Sequence, residues 1–238
     1  MKKGILYLLP VTLDENSLPA EVLPAAVIDV ARNLRFFIAE NAKTCRAFLK
    51  AAQVPVPLQE INVESYGKHE RKEISPSAFL KPLLDGHDTG LVSEAGCPAV
   101  ADPGSEIVRL AHEKGIRVIP LVGPSSLLLS LMASGFSGQQ FRFHGYLPID
   151  PQEREEWIGD MENDANRHHI TQIFIETPFR NMALYEALIK SLQGDTMLCI
   201  ASALTTKEEN VTTKKVREWK NAPPPVLHKI PAVFLIGK

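Results

Sequence analysis

The residues best suited to chemistry cluster in one stretch, Leu91-Val92-Ser93-Glu94-Ala95-Gly96-Cys97-Pro98-Ala99-Val100-Ala101-Asp102-Pro103-Gly104, between an apolar run and an amphipathic one. After a strand and before a helix, such a loop sits where open α/β sheets bind ligands. Its small side chains let a ligand approach the backbone, and Glu94 and Asp102 could bond a ribose diol or face a cation. The glycines are too far apart for G-x-G-x-x-G, and no Gly-Lys-Ser/Thr ending follows, so nucleotide phosphates are not the expected target. The competing reading is a tight Pro/Gly connection needed only for topology. Two further small-residue loops, Pro120-Leu121-Val122-Gly123-Pro124-Ser125-Ser126 and Gly145-Tyr146-Leu147-Pro148, could converge with it on one crevice. A fourth, Ile175-Glu176-Thr177-Pro178-Phe179-Arg180-Asn181, puts an acid and a base at a strand-to-helix junction. There the ordinary alternative is a surface ion pair of little energetic weight.

Other reactive side chains point to less. Cys45, Cys97 and Cys199 stand far apart with no Cys-x-x-Cys spacing, which argues against a zinc knuckle or a disulfide framework. The seven histidines show no ligand spacing, and no catalytic metal is expected. Lys207, Lys214, Lys215, Arg217 and Lys220, with Trp219 available to stack, form the best basic patch for RNA. Glu208, Glu209 and Glu218 dilute it, and mixed charge of this kind usually marks a solvated face. The segment Gly67-Lys68-His69-Glu70-Arg71-Lys72-Glu73 reads as a similar exposed loop able to contact RNA.

The elements that must hold these loops follow from the pattern of short apolar runs alternating with amphipathic segments, which predicts βα units and a mostly parallel sheet. Strands are predicted over Gly4–Leu9, Arg35–Ala39, Leu58–Val63, Thr89–Ser93 and Arg117–Leu121, then over Arg142–Gly145, Thr171–Glu176, Thr196–Ala201 and Ala232–Gly237. Helices fall between them. Ser75 before Pro76 predicts a helix start, Ser105 a helix closed by Gly115, Ser125 a helix closed by Gly135, and Asp150-Pro151 a surface helix over Gln152–Asn166. Two α/β lobes are expected, residues 1–118 with a mostly parallel sheet and 119–238 with a mixed one.

The 238 residues carry 45% hydrophobic and 23% charged side chains, which excludes disorder and fibrous repeats. Lys plus Arg number 26 against 28 for Asp plus Glu, and splitting at Val118 leaves each half at −1. No global basic field would gather nucleic acid, so a polyanion would need a local patch. No apolar stretch reaches the ~20 residues of a membrane span, and the start of the chain lacks the features of a signal peptide. A cytoplasmic protein without a membrane role is expected.

Five motifs, taken together and in order, carry a resemblance: Val-Ser-Glu-Ala-Gly-Cys-Pro-Ala-Val-Ala-Asp-Pro-Gly, Gly-Pro-Ser-Ser, Gly-Tyr-Leu-Pro, Glu-Thr-Pro-Phe-Arg and the opening Leu6-Tyr7-Leu8-Leu9-Pro10. The chain resembles the tetrapyrrole-methylase-fold methyltransferases. It is most similar to the bacterial branch that methylates a cytidine ribose 2′-hydroxyl of small-subunit ribosomal RNA. The resemblance implies a two-lobed α/β (class III methyltransferase) fold, a homodimer, and S-adenosylmethionine held in the cleft between lobes. Carried over by position, Pro10, Glu94, Gly96, Cys97, Pro98, Ala101 and Asp102 line the cofactor, with Ser125, Ser126 and Leu147 on its other side, largely through backbone groups.

The chain departs from the family pattern at three places. Pro10-Val11-Thr12-Leu13-Asp14 replaces a glycine-containing first turn, Asn41 stands in Ala39-Glu40-Asn41-Ala42-Lys43 where an acid is usual, and Phe179 replaces a histidine. A ribose hydroxyl must lose its proton to attack, so a base or neighbouring cation is expected. Glu40 or Glu176 is assigned to that proton, and Arg180 with Lys207 to the substrate phosphates or developing alkoxide. The expected partner is ribosomal RNA or the small ribosomal subunit. The readings weighed against it are a same-fold enzyme acting on a tetrapyrrole or other small molecule, and a non-catalytic cofactor- or ribosome-binding relative.

Overall fold

A computed structural model describes residues 2–67 and 75–238, so the charged segment from Lys68 to Glu73 lies outside it. The chain divides into two compact units, Met1–Ser125 and Ser126–Lys238. The division falls after the expected one because the strand Arg117–Pro120 pairs in register with the first strand, Ile5 opposite Arg117 through Leu8 opposite Pro120. A joint at Val118 would cut that strand.

In the first unit, β1 (Ile5–Leu8), β2 (Phe36–Ala39), β3 (Asn62–Ser65), β4 (Thr89–Val92) and β5 (Arg117–Pro120) form one sheet in the order β3-β2-β4-β1-β5. Every pairing is parallel. Helices α1 (Pro19–Val22), α2 (Ala25–Asn33), α3 (Ala42–Ala51), α4 (Lys81–Leu84) and α5 (Ser105–Glu113) connect the strands. Successive side chains of a strand face opposite ways, so Leu6 and Leu91 pack with Leu83 and Ile107 on one face. Phe37, Leu9 and Val92 pack with Val27, Phe48 and Leu49 on the other. Both faces are covered, which is why these strands read as short continuous apolar runs.

The second unit contains α6 (Ser126–Ser134), β6 (Phe141–Tyr146), α7 (Pro151–His168), β7 (Thr171–Ile175), α8 (Asn181–Ser191), β8 (Met197–Ser202), β9 (Asn210–Lys215), α9 (Val216–Lys220) and β10 (Ala232–Gly237). Its sheet runs β6-β7-β10-β8-β9, with β6 and β7 parallel and the remaining pairs antiparallel. Along β10, Phe234 and Ile236 pack with Ile158, Leu184 and Leu188 of α7 and α8, while Val233 and Leu235 pack with Leu131 of α6. The start of α7 is the predicted one: the Asp150 carboxylate accepts from the N–H groups of Gln152 and Glu153, both at 3.0 Å, with Pro151 behind it.

Several local expectations change. Pro57 opens a 3-10 turn at Leu58–Glu60, so the third strand begins only at Asn62. The helix expected after Ser75 is a 3-10 turn at Pro76–Leu80 followed by α4, and Ser75 makes no side-chain cap. Pro82 interrupts it because proline has no N–H to continue the ladder. Gly104 rather than Ser105 caps α5. Strand β9 is not among the predicted strands, because Asn-Val-Thr-Thr-Lys-Lys lacks an apolar alternation. It is an edge strand, where lysines protect the open hydrogen-bonding side.

Candidate functional site

Parallel pairing brings the carboxyl ends of β1, β2, β4 and β5 to one edge of the first sheet, together with Pro10, Glu40, the loop after β4 and Ser125. The loops are stitched by backbone bonds. Val11 N–H donates to Gly96 C=O at 3.0 Å, Glu40 N–H to Val92 C=O at 3.1 Å, and Leu121 N–H to Leu8 C=O at 3.1 Å. The loss of a glycine turn after Pro10 is met locally: Asp14 accepts from Asn16 N–H at 2.8 Å and from Ser17 N–H at 3.2 Å.

Backbone strain concentrates in the loop after β4. Gly96 has φ +69°, and Ala99 and Ala101 have φ +66° and +61°. Alanine pays a steric cost in this region, so the rest of the fold over-determines the loop, as it does at ligand sites. A side chain at Gly96 would press on Leu13 Cδ2 at 3.0 Å and on Pro124 C=O at 3.2 Å. At Gly123 it would overlap the ring of Pro10. Pro10, buried, and Gly123 therefore pack backbone to ring at this edge. Burial pushes the Cys97 thiol up, and the protonated Sγ donates to Pro124 C=O at 3.3 Å. Cys97 ties the loop after β4 to the loop after β5.

The electrostatics at this edge are acidic. Burial first, then the carboxylates of Glu40 and Glu94, pushes the Asp102 carboxyl up to about 6, against a hydrogen bond with Ser93 that lowers it. Asn41 accounts for its own departure from the family pattern. Its Oδ1 accepts from Lys43 N–H at 2.9 Å to cap α3, while its Nδ2 donates to Glu94 Oε1 at 3.2 Å. An aspartate could cap but could not donate to Glu94.

In the second unit the pairing likewise gathers the loops after β6, β7 and β8 and the segment before β10 at one end of the sheet. Glu176 is buried, and its Oε1 accepts from Arg180 Nε at 3.1 Å, Arg180 Nη2 at 2.7 Å and Thr177 N–H at 2.6 Å. The Arg180 side chain stays 40% exposed, so the buried acid presents the guanidinium to solvent. Lys207 is exposed on the β8–β9 loop at the same end of the sheet. That loop is strained, with Ala203 at φ +50° and Thr205 at φ +68°. Thr205 N–H donates to Glu209 Oε2 at 2.7 Å, and Thr206 Oγ1 to Ala203 C=O at 2.8 Å.

Ser125 ends the first unit and Ser126 opens α6, both half-buried. Leu147 is 3% exposed and packs with Ile158 in the core of the second unit, so only its backbone can meet a ligand. Glu176, Arg180, Lys207 and Leu147 thus share one end of the second sheet, whereas Glu40 stands with the loop after β4 of the first unit. The basic patch does not form as read. Trp219 is buried and donates to Leu198 C=O at 3.0 Å, while Lys215 and Arg217 both pair with Asp195. Lys207 precedes β9 and Lys215 ends it, on the order of 20 Å along an extended strand. A cavity of about 660 Å³ lined by Asp29, Arg35, Phe36 and His87 lies at the amino ends of the strands, away from the loops at their carboxyl ends. Among the described residues no His, Cys, Asp and Glu group is arranged to hold a metal ion, and no helix is long and apolar enough to cross a membrane.

No family model matches the chain. It is 30% identical over 221 residues to the ribosomal RNA small subunit methyltransferase I of Bacillus subtilis, covering 92% of this chain and 70% of that protein. The chain belongs to the ribosomal RNA small subunit methyltransferase I family. The methyltransferase I of Haemophilus influenzae is 32% identical over 158 residues, which cover 65% of this chain and 54% of that protein. The chain thus spans about half the length of several methyltransferase I relatives. The crystal structure of the methyltransferase CobJ superposes with a TM-score of 0.63 at 16% identity, covering 99% of this chain and 94% of that one. A uroporphyrin-III-C-methyltransferase from Thermus thermophilus gives 0.56 at 16% identity, covering 100% and 93%. The chain therefore has the tetrapyrrole-methylase fold expected from its motifs.

Proposed function

We propose that this chain transfers a methyl group from S-adenosylmethionine to a ribose 2′-hydroxyl of small-subunit ribosomal RNA. The observation that carries the reading is the 30% identity to the Bacillus subtilis methyltransferase I over 92% of this chain. The residues at the first sheet's edge suit the cofactor. Gly96 leaves no room for a side chain, the loop exposes backbone groups, and Glu94 and Asp102 offer negative charge. S-adenosylmethionine carries a cationic sulfonium and ammonium, which that charge complements, and a ribose diol, which a carboxylate can accept from. Pro10, Gly96, Cys97, Pro98, Ala101 and Asp102 would hold it. When bound, it supplies a methyl carbon for in-line displacement.

The remaining work is to orient the acceptor and to relieve it of a proton. Orientation of this kind contributes roughly 7–11 kcal/mol. Arg180, held by buried Glu176, and Lys207 serve the acceptor phosphate or the developing alkoxide. Glu176 already accepts three hydrogen bonds on one oxygen. It acts by positioning Arg180, and Glu40 is the better assignment for the proton. The reading includes a cytoplasmic location and a homodimer, the latter checked by the molar mass from light scattering.

The test is labelled-methyl transfer onto isolated small subunits, naked ribosomal RNA and a tetrapyrrole. Label should enter RNA of the subunits in an alkali-resistant dinucleotide, because a 2′-O-methyl group blocks alkaline cleavage at that linkage. Label on the tetrapyrrole alone, or on a base, overturns the reading.

A further inference from the structure

Phe179 is 70% exposed, an unusual place for a large aromatic ring. It is held there by structure on both sides. Lys229 N–H donates to Pro178 C=O at 3.0 Å, with Lys229 itself at φ +61°. The fully buried Asn181 donates from Nδ2 to Ile230 C=O at 2.6 Å, locking the loop before β10 to the start of α8. The result sets Lys229 Nζ 5.9 Å from the ring centroid of Phe179 and the His228 ring edge-on at 6.3 Å. Among the described residues no carboxylate pairs with Lys229 or His228. The start of α8 adds positive field: it has no side-chain cap and no acid in its first turn. Arg180 stands next in the chain, with its charge partly met by Glu176.

An exposed ring beside an uncompensated lysine and a second aromatic ring is the composition of a single-stranded nucleic acid platform, in which bases stack on aromatics and phosphates meet basic groups. We propose that Phe179, with Lys229 and His228, stacks an unpaired base of the RNA substrate and that Lys229 and the start of α8 take its adjoining phosphate. The proposal rests on the reading of RNA as acceptor. It assigns a role to the position where this chain departs from the family's histidine, since phenylalanine keeps the stacking face and gives up the ring nitrogens.

The experiment measures binding of a fluorescent ten-nucleotide single-stranded RNA, and methyl transfer to small subunits, for wild type, Phe179→Ala, Phe179→Trp and Lys229→Ala. Thermal unfolding serves as the control for folding. Phe179→Ala should weaken RNA binding by about 5- to 150-fold, from roughly 1–3 kcal/mol per stacked base. Phe179→Trp should bind at least as well as wild type, and Lys229→Ala should weaken binding and flatten its salt dependence by about 0.7 in log–log slope. Wild-type affinity in Phe179→Ala, or equal losses in Phe179→Ala and Phe179→Trp with both folded, overturns the platform while leaving the acceptor reading intact. Loss of transfer to subunits with unchanged affinity for naked RNA also overturns it, in favour of a ribosomal protein contact. A wild type that neither binds RNA nor methylates subunits overturns both.

Discussion

Asp102 shows how much a single side chain depends on its surroundings. Its carboxyl, pushed up to about 6 by burial and then by Glu40 and Glu94, is more protonated in the folded chain than in the unfolded one between pH 3.8 and 6. Folded-state stability from this group therefore falls as pH rises through that window and stays low above it. Asp102→Asn should melt higher than wild type at pH 8 and alike at pH 3.5, read by thermal denaturation; a lower melting temperature at pH 8 would refute the account. The same variant should bind S-adenosylmethionine more weakly at pH 8 by calorimetry, since the ionised acid faces a cation in our reading. Asn41 makes a second point at this scale. Its substitution for an acid looked like a loss of charge in the sequence, yet the amide both caps α3 and donates to Glu94. The type of residue was legible, but its partner, fifty-three positions away, was not.

At the scale of elements, the loops matter through what their strand ends force together. Pro10 follows β1 and Gly123 follows β5, and parallel pairing of those strands brings ring against backbone. Gly123→Ala should therefore destabilise by about 1–3 kcal/mol, as overpacking does, and should weaken S-adenosylmethionine binding disproportionately because Pro124 is the acceptor for Cys97. Gly135→Ala is the comparison, since a side chain there meets nothing within 4 Å although its φ of +78° carries a backbone cost. Unchanged cofactor affinity in Gly123→Ala would show that this packing does not shape the loop. Apolar periodicity predicted nine of the strands, all within two residues at their ends except the third, which starts four residues later than expected, because buried strands must be apolar. The edge strand β9 escaped because Val211 is its one apolar side chain, and Pro57 and Pro82 reshaped segments whose apolar spacing alone suggested otherwise.

For the whole molecule, a net charge of −2 limits how RNA can be found. Lys215 and Arg217 pair with Asp195 at the far end of β9, and among the described residues the cations at the end of the second sheet that holds Glu176 include Arg180, Lys207 and Lys229. Methyl transfer to small subunits should then lose apparent affinity with salt at a log–log slope of only about −2, from about −0.7 per phosphate contact on single strands. A slope steeper than about −5 would require a basic surface that these three residues do not supply. The motifs alone determined the fold family and where the tight βα connections fall, because small residues and punctuating glycines and prolines are local requirements of such connections. Only the tertiary structure decided which side chains meet. It buried Trp219, paired Glu176 with Arg180, raised Asp102 and set Phe179 beside Lys229. Each of these depends on strand order and register, which join residues far apart in the chain and leave no periodic trace in it.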